Sequence, residues 1–368
     1  MKANVLQTDL IQGLNLASRY VSNKGQLPIL ANVLLTASSE GLFISATNLS
    51  VSAKTYIGGK TEEQGQFTIP AKILVEFVNS LPAEQIELVA DESKLKIACG
   101  KYKANFPIQS AQDFPLFSSA SSSEPNKVSV ESEWLHQAAT QVGFAASVDD
   151  SRPVLTGVKI EYRDGSLLMT STDGFRLSRK QLITDHWSLI TDNLILPARA
   201  ISEVVRLLEN NKSVELTYLP ESKQVIFILD KTEISIRTLE GNFPQTEKII
   251  PKEFSTEIIV DRREIVSAVR SAGIFARDNN NTIKLSVTSN QLSVVSTGGQ
   301  LGESESVMEV EQKGEDLKLA FNFKFLLDFL GAVSNERVII KANEPSTPVV
   351  FVPEGDETLL HLIMPVRV

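Results

Sequence analysis

The chain has 368 residues, 42% of them hydrophobic and 22% charged, with a formal net charge of −9. That length exceeds one ordinary core and suits two or three domains, while no apolar run approaches the ~18 residues of a membrane span. The N-terminus Met1-Lys2-Ala3-Asn4-Val5 lacks an apolar leader and Cys99 is alone, so neither secretion nor a disulfide framework is expected, and the cytoplasm is the default location.

Residues Asp9–Tyr20 place Leu10, Leu14 and Ala17 on one face of a helix. Asn23-Lys24-Gly25 reads as a turn, and Gly41–Thr47 as the outgoing strand of a hairpin. Phe67–Lys72 then runs from strand into a second helix across Pro70, where a missing N–H costs least. Lys94, Lys96, Lys101 and Lys103 alternate along the strands that follow, and Asp113-Phe114-Pro115 leads into a linker at Ser118–Asn126.

The pattern restarts at Glu133–Ala146, with Leu135, Ala138, Ala139 and Val142 at helical spacing. Ser166–Thr172 is the matching strand, and the Asp173-Gly174 pair after it is turn chemistry. Leu194–Arg199 crosses Pro197 into another second helix. Strands at Val214–Tyr218 and Val225–Leu229 flank the turn residues Pro220-Glu221-Ser222, and Asn242-Phe243-Pro244 closes the segment ahead of Pro251.

A third round brings the helix Arg262–Ala276, with Ile265, Ala268, Val269 and Ala272 inward. The strand Gln291–Thr297 follows, then a turn at Gly298-Gly299 and the strand-to-helix stretch Leu319–Lys324. The Thr that ends the hairpin strand recurs at 47, 172 and 297, a constant spacing of 125 residues. Three signals repeated in one order make coincidence a poor explanation. The expected fold is α+β, in three topologically similar domains at 1–125, 126–250 and 251–368, each with two helices packed on β-sheets.

Signatures of catalysis are weak. His136, His186 and His361 are far apart with no ligand-spaced partner, and neither a phosphate-binding loop nor a dinucleotide fingerprint is present. Asp149, Asp150 and Asp173 could form a carboxylate set for two-metal chemistry, but Asp173 is explained more simply by its turn. No metal, cofactor or catalytic residue is expected.

The fragments Leu27-Pro28-Ile29-Leu30, Thr172-Asp173-Gly174-Phe175-Arg176-Leu177, Asn242-Phe243-Pro244, Phe321-Asn322-Phe323-Lys324 and Met364-Pro365-Val366-Arg367-Val368 carry a family likeness. In that order they resemble the beta sliding clamps of bacterial DNA polymerase III, over the whole length. The resemblance implies a clamp fold, a head-to-tail homodimeric ring around duplex DNA, and a processivity role for the replicative polymerase. It also implies a peptide-docking pocket shared by polymerase, clamp loader and repair proteins. Its walls would be Leu155, Thr172, Gly174, Phe175, Arg176, Leu177, Pro244, Lys248, Ile249, Asn322, Phe325, Ser346, Ile363, Met364, Pro365, Val366 and Arg367. In such a wall apolar side chains would take Leu or Phe anchors, and Arg176 and Asn322 would offer directed hydrogen bonds. Phe175 stands where the family has His and Phe325 where it has Tyr, so a greasier pocket is expected.

A domain of about 120 residues is roughly 35 Å across, and six in a hexagon leave a hole of similar width. Two chains would supply six. The acidic total weighs against DNA, but the expected helices carry Arg19, Lys72, Arg199, Arg206, Arg262, Arg263, Arg270 and Lys324 against Asp9, Glu76, Glu133, Glu203, Glu209, Glu264 and Asp328, close to balance. The resemblance implies Lys24 and Arg152 as loop contacts to phosphate, and Arg199 and Arg206 are the expected helical ones. At the dimer joint, Lys101 and Lys103 would meet Glu303 and Glu305, which alternate with Glu309 and Glu311 in the third segment, around an apolar centre of Leu74, Phe77, Ile274 and Phe275. The competing readings are a monomeric β-rich peptide-binding scaffold and, behind it, a metal-dependent phosphoryl or nucleic-acid hydrolase.

Overall fold

The computed structural model describes residues 1–22, 27–115, 127–183, 194–208, 212–299 and 302–366. Lys24, the Ser118–Asn126 linker, His186, Glu209 and Arg367 therefore lie outside the described residues. The first round of elements is β1 (Lys2–Leu6), α1 (Gln7–Ala17), β2 (Asn32–Ser38), β3 (Gly41–Thr47), β4 (Val51–Gly58), β5 (Lys60–Glu63), β6 (Gly65–Pro70), α2 (Ala71–Asn79), β7 (Gln85–Ala90), β8 (Lys94–Cys99) and β9 (Tyr102–Pro107). The second is β10 (Lys127–Glu131), α3 (Ser132–Gly143), β11 (Gly157–Arg163), β12 (Ser166–Thr172), β13 (Arg176–Ile183), β14 (Leu194–Pro197), α4 (Ala198–Val205), β15 (Ser213–Leu219), β16 (Gln224–Leu229) and β17 (Thr232–Arg237). The third is β18 (Thr256–Asp261), α5 (Arg262–Ala276), β19 (Thr282–Thr288), β20 (Gln291–Thr297), β21 (Glu303–Glu309), β22 (Glu311–Gly314), β23 (Leu317–Asn322), α6 (Phe323–Ala332), β24 (Arg337–Ala342), β25 (Val349–Pro353) and β26 (Leu359–Ile363).

Helix boundaries follow local chemistry. Asp261 caps α5 by accepting from the backbone N–H groups of Arg263 and Glu264, and Asn322 caps α6 by accepting from that of Lys324. The face of α5 that is buried, Ile265, Ala268, Val269, Ala272 and Ala276, keeps the spacing of three and four expected of an amphipathic helix. Gly273 lies on that face because a Cβ there would come within 2.8 Å of the Phe323 ring at the start of α6. Behind it Phe329 and Phe351 pack at 5.8 Å between ring centres, and Phe321 and Phe351 at 5.7 Å.

The described residues pack into two compact units, Met1–Ser132 with Arg206–Thr238, and Glu133–Val205 with Leu239–Val368. Sheet topology explains the division, because each long sheet crosses a boundary between successive rounds. In the first unit an eight-stranded antiparallel sheet runs β10-β15-β16-β17-β4-β3-β2-β6, beside a five-stranded sheet β5-β1-β7-β8-β9. In the second, a nine-stranded sheet runs β14-β11-β12-β13-β26-β25-β24-β18-β22, beside a four-stranded sheet β21-β20-β19-β23.

The joints are β4 against β17 and β13 against β26. In the first, Val51 pairs with Ile236 and Thr55 with Thr232; in the second, Arg176 pairs with Ile363 and Lys180 with Leu359. Each joint thus sets the third strand of one round's hairpin series against the last strand of the next.

Candidate docking site and open sheet edges

The turn Thr172–Arg176 closes on itself through short polar side chains. Thr172 Oγ1 accepts from the Gly174 N–H at 3.0 Å and donates to the Arg176 carbonyl at 2.6 Å, while Asp173 Oδ1 accepts from the N–H groups of Phe175 and Arg176. Gly174 takes φ +94°, the left-handed region where glycine is favoured. This is the turn chemistry read from Asp173-Gly174. With the backbone so fixed, Phe175 is thrown outward at 66% exposure.

Arg176, expected to offer directed hydrogen bonds, spends three of its five N–H groups inside the protein. Its guanidinium donates to Asp173 at 3.0 Å, to Asp328 at 2.5 Å and to the Phe144 carbonyl at 2.7 Å, and lies 4.5 Å from the Phe325 ring centre. Only 10% of the side chain is exposed. Phe325 is thereby held half-buried as a shelf beneath a cation. Asn322 has likewise spent its side-chain carbonyl on the α6 cap.

The terminal segment is tied down on both sides. The Met364 N–H donates to the Phe175 carbonyl and the Val366 N–H to the Ala320 carbonyl, at 2.9 and 2.8 Å. Phe175, Ile249, Met364 and Val366 are exposed apolar side chains, with Pro244, Lys248 and Ser346 exposed and Pro365 half-buried. Leu177 and Ile363 have no exposed surface, and Leu155 and Thr172 are buried, so these four back the wall rather than face a ligand. His361 also lies in this region, fully buried and stacked on Phe329 at 5.2 Å. Burial, and then the charge of Arg176, hold its pKa down to about 3, against a weaker opposing contact at the Leu177 backbone.

Two of the sheet edges among the described residues carry opposite charge. β9 ends the five-stranded sheet and β21 the four-stranded one. β9 and its turn carry exposed Lys101, Tyr102 and Lys103, and β21 carries exposed Glu303, Glu305, Val307 and Glu309. A groove of about 500 Å³ follows β21 against α5, lined by Ser267, Ser271, Val307 and Met308 among others. Ile274 is exposed and Phe275 half-buried on α5. On α2 Leu74 is 1% exposed and belongs to the core, so it cannot form the apolar centre of a joint; Ile73, at 50%, is the outward residue that sequence reading missed. Phe77 is half-buried against Phe106.

Of the expected phosphate contacts, Arg152 and Arg199 are exposed, as is Arg206 directly after α4. Asp149 is occupied by the N–H and hydroxyl of Ser151, which lower its pKa. Among the described residues no group of three or more His, Cys, Asp or Glu is placed to hold a metal ion, and no helix is long and apolar enough to cross a membrane.

Known proteins match along the whole chain. Residues 1–118, 129–245 and 247–367 match the N-terminal, central and C-terminal domain families of the DNA polymerase III beta subunit. The beta sliding clamp of Synechocystis sp. is 32% identical over 100% of this chain and 99% of its own. That of Bacillus subtilis is 27% identical over 100% of both. Among solved structures, the Bacillus subtilis DNA polymerase sliding clamp superposes with a TM-score of 0.95 at 26% identity, covering 100% of this chain and 99% of that one. The Pseudomonas aeruginosa DNA polymerase III beta subunit gives 0.93 at 25% identity, covering 100% of both.

Proposed function

The chain belongs to the DNA polymerase III beta-subunit family and has its three-domain clamp fold, and from that premise we propose that it works as a DNA sliding clamp, two copies closing head to tail around duplex DNA. The ring tethers the replicative polymerase and acts by topology, with no catalytic residues of its own. Its contacts with phosphates, through Arg152 and Arg199 and with Lys24 and Arg206, are blind to sequence and so permit sliding. The surface around Phe175, Ile249, Met364 and Val366 docks short motifs of the polymerase, the clamp loader and other clamp-binding proteins in turn. We keep 1–125, 126–250 and 251–368 as the domain limits, and the cytoplasm as the place of action.

One observation supports closure above the rest. Each of the two long sheets joins a four-strand set of one round to the other strand set of the next, and the two sheets left over among the described residues are one matching half of each kind: β23-β19-β20-β21 and β9-β8-β7-β1-β5. Among the described residues of one chain these halves have no partner; in two copies, β21 of one meets β9 of the other twice, and every such sheet is complete.

The register follows from the internal joints. Thr47 pairs with Ser52, Thr172 with Leu177 and Thr297 with Glu303, so Glu305 takes the place of Lys54 and Arg179. Cys99 pairs with Tyr102 and Leu229 with Thr232, so Lys103 takes the place of Glu233. Lys54 faces Glu233. Glu305 therefore faces Lys103 of the second copy.

Loading the protein on a nicked circular plasmid and then linearising the DNA tests the reading. A linked ring slides off the ends and is lost from the DNA fraction on cutting. Retention equal to that on the circle would leave the monomeric peptide-binding scaffold as the better account.

A further inference from the structure

Beside the docking wall, and sharing Ser346 and Val366 with it, lies a cavity of about 700 Å³ floored by β19 and β23. Leu319, Ala320 and Pro345 give it apolar surface, and Lys284, Lys318 and Glu344 give it charge. Lys284 pairs with Ala320 and Ser286 with Lys318, which puts the two lysines a diagonal step apart on one face of the sheet. Both are exposed, and neither is engaged in an ion pair among the described residues.

The acids of the adjoining wall are treated otherwise. Asp173 and Asp328 are both held by Arg176, and Glu247 is held by Arg179. Those three carboxylates exceed their two arginines by one charge, so Lys248, Lys284 and Lys318 stand against that charge and Glu344, and these groups together sum to +1 on a chain whose total is −9.

From this juxtaposition we infer that the Lys284–Lys318 ledge receives acidic residues flanking the apolar anchor of a docked peptide. Partners with Asp or Glu beside a Leu or Phe anchor are thereby selected over partners with neutral flanks. The inference deepens the docking reading and rests on it. An acidic peptide fits better here than a nucleic-acid strand, because the cavity is lined by apolar Leu319, Ala320 and Pro345 and reaches the exposed side chain of Val366. A sugar-phosphate backbone would bury no apolar anchor against such a floor.

The test uses the full chain and three fluorescent peptides with one Leu-Phe core: one with Asp-Glu before the core, one with Asp-Glu after it, and one with neutral flanks. Dissociation constants are read by anisotropy at low salt, with the parent and with a Lys284→Ser, Lys318→Ser double variant. One acidic peptide is expected to bind roughly fivefold tighter than the neutral one, a preference that the double variant and added salt both abolish. Unchanged affinity for the neutral peptide shows that the variant is folded. Equal binding of all three peptides to the parent, or a preference that survives in the double variant, overturns the inference while leaving docking intact. Displacement of the acidic peptide by a short DNA duplex would assign the ledge to phosphate and overturn it too. Binding of none of the peptides would remove the docking reading itself.

Discussion

At the first joint Thr55 and Thr232 face each other and share a hydroxyl hydrogen bond of 2.9 Å. At the matching place in the second joint stand Lys180 and Leu359, and Lys180, only 3% exposed, reaches past its strand partner to Asp356 at 2.7 Å. The backbone register is the same and the chemistry is not. Pairing of edges is specified by main-chain hydrogen bonds and by alternation of inward residues, so the side chains at the centre are free to diverge. Neutral hydroxyls meet beside the facing Lys54 and Glu233 in one joint, whereas the other has an ion pair on a buried lysine and, on β26, a buried histidine. Acid should therefore loosen the second joint more than the first.

The largest expected effect is that of pH on His361. Below about pH 6.5 the unfolded chain takes up a proton that the folded chain refuses until about pH 3. Stability of the second unit falls as pH falls across that window, by up to ~5 kcal/mol at its lower end. Asp356 adds to the loss at the acid end. Burial alone would raise its pKa, but hydrogen bonds from Lys180 and Thr358 pull it below the usual value, and stability is lost as that carboxylate is protonated. Urea midpoints of the parent and of His361→Leu, followed from neutral to acid pH, separate these contributions. A parent curve as flat as the variant's would end the contrast between the joints.

Next in size is removal of one partner from each joint. Asp356→Ala strands a buried ammonium and is expected to cost about 3 kcal/mol, whereas Thr232→Val deprives only the Thr55 hydroxyl and is expected to cost about 1 kcal/mol. Equal losses at neutral pH would mean that Lys180 finds water and that the pair is structurally idle.

How far these features were legible in the sequence depends on the distance over which their causes act. The Thr172–Arg176 turn was readable because its hydrogen bonds are local, and Thr47–Val51 repeats it, with Asn48 accepting from the N–H groups of Ser50 and Val51. The α5 limits were readable from one amphipathic run between a capping Asp and its last buried Ala. The inward face of α2 was misread at Leu74 because Ile73, Leu74, Val75, Phe77 and Val78 are apolar at almost every position, and only the spacing Ala71, Leu74, Val78 marks the buried stripe. The internal partners of Arg176 were not legible, because one of them, Asp328, lies 152 residues away. The joints themselves left no local trace, since β4 and β17 read as ordinary alternating strands whichever neighbour they take.

The smallest effect bears on the third joint, the one proposed between copies. Lys54 on β4 faces Glu233 on β17, but at the corresponding open edges the acid, Glu305, is on β21 and the base, Lys103, on β9. Pairing of like edges would set Lys103 against Lys103 or Glu305 against Glu305, so the arrangement favours head-to-tail closure over either mismatch. An exposed pair of this kind is worth about 0.2–1 kcal/mol. Lys103→Glu or Glu305→Lys alone places a repulsive contact at both joints of the ring, and each variant should dissociate at higher protein concentration than the parent in sedimentation at low salt. Mixing the two variants restores attraction at both joints, and so does combining the substitutions in one chain. High salt should bring all of them together. Were each single variant to stay dimeric at dilutions matching the parent, backbone pairing and the apolar contacts of Ile73 and Ile274 would be sufficient, and the reversed charge would have no part in choosing the partner edge.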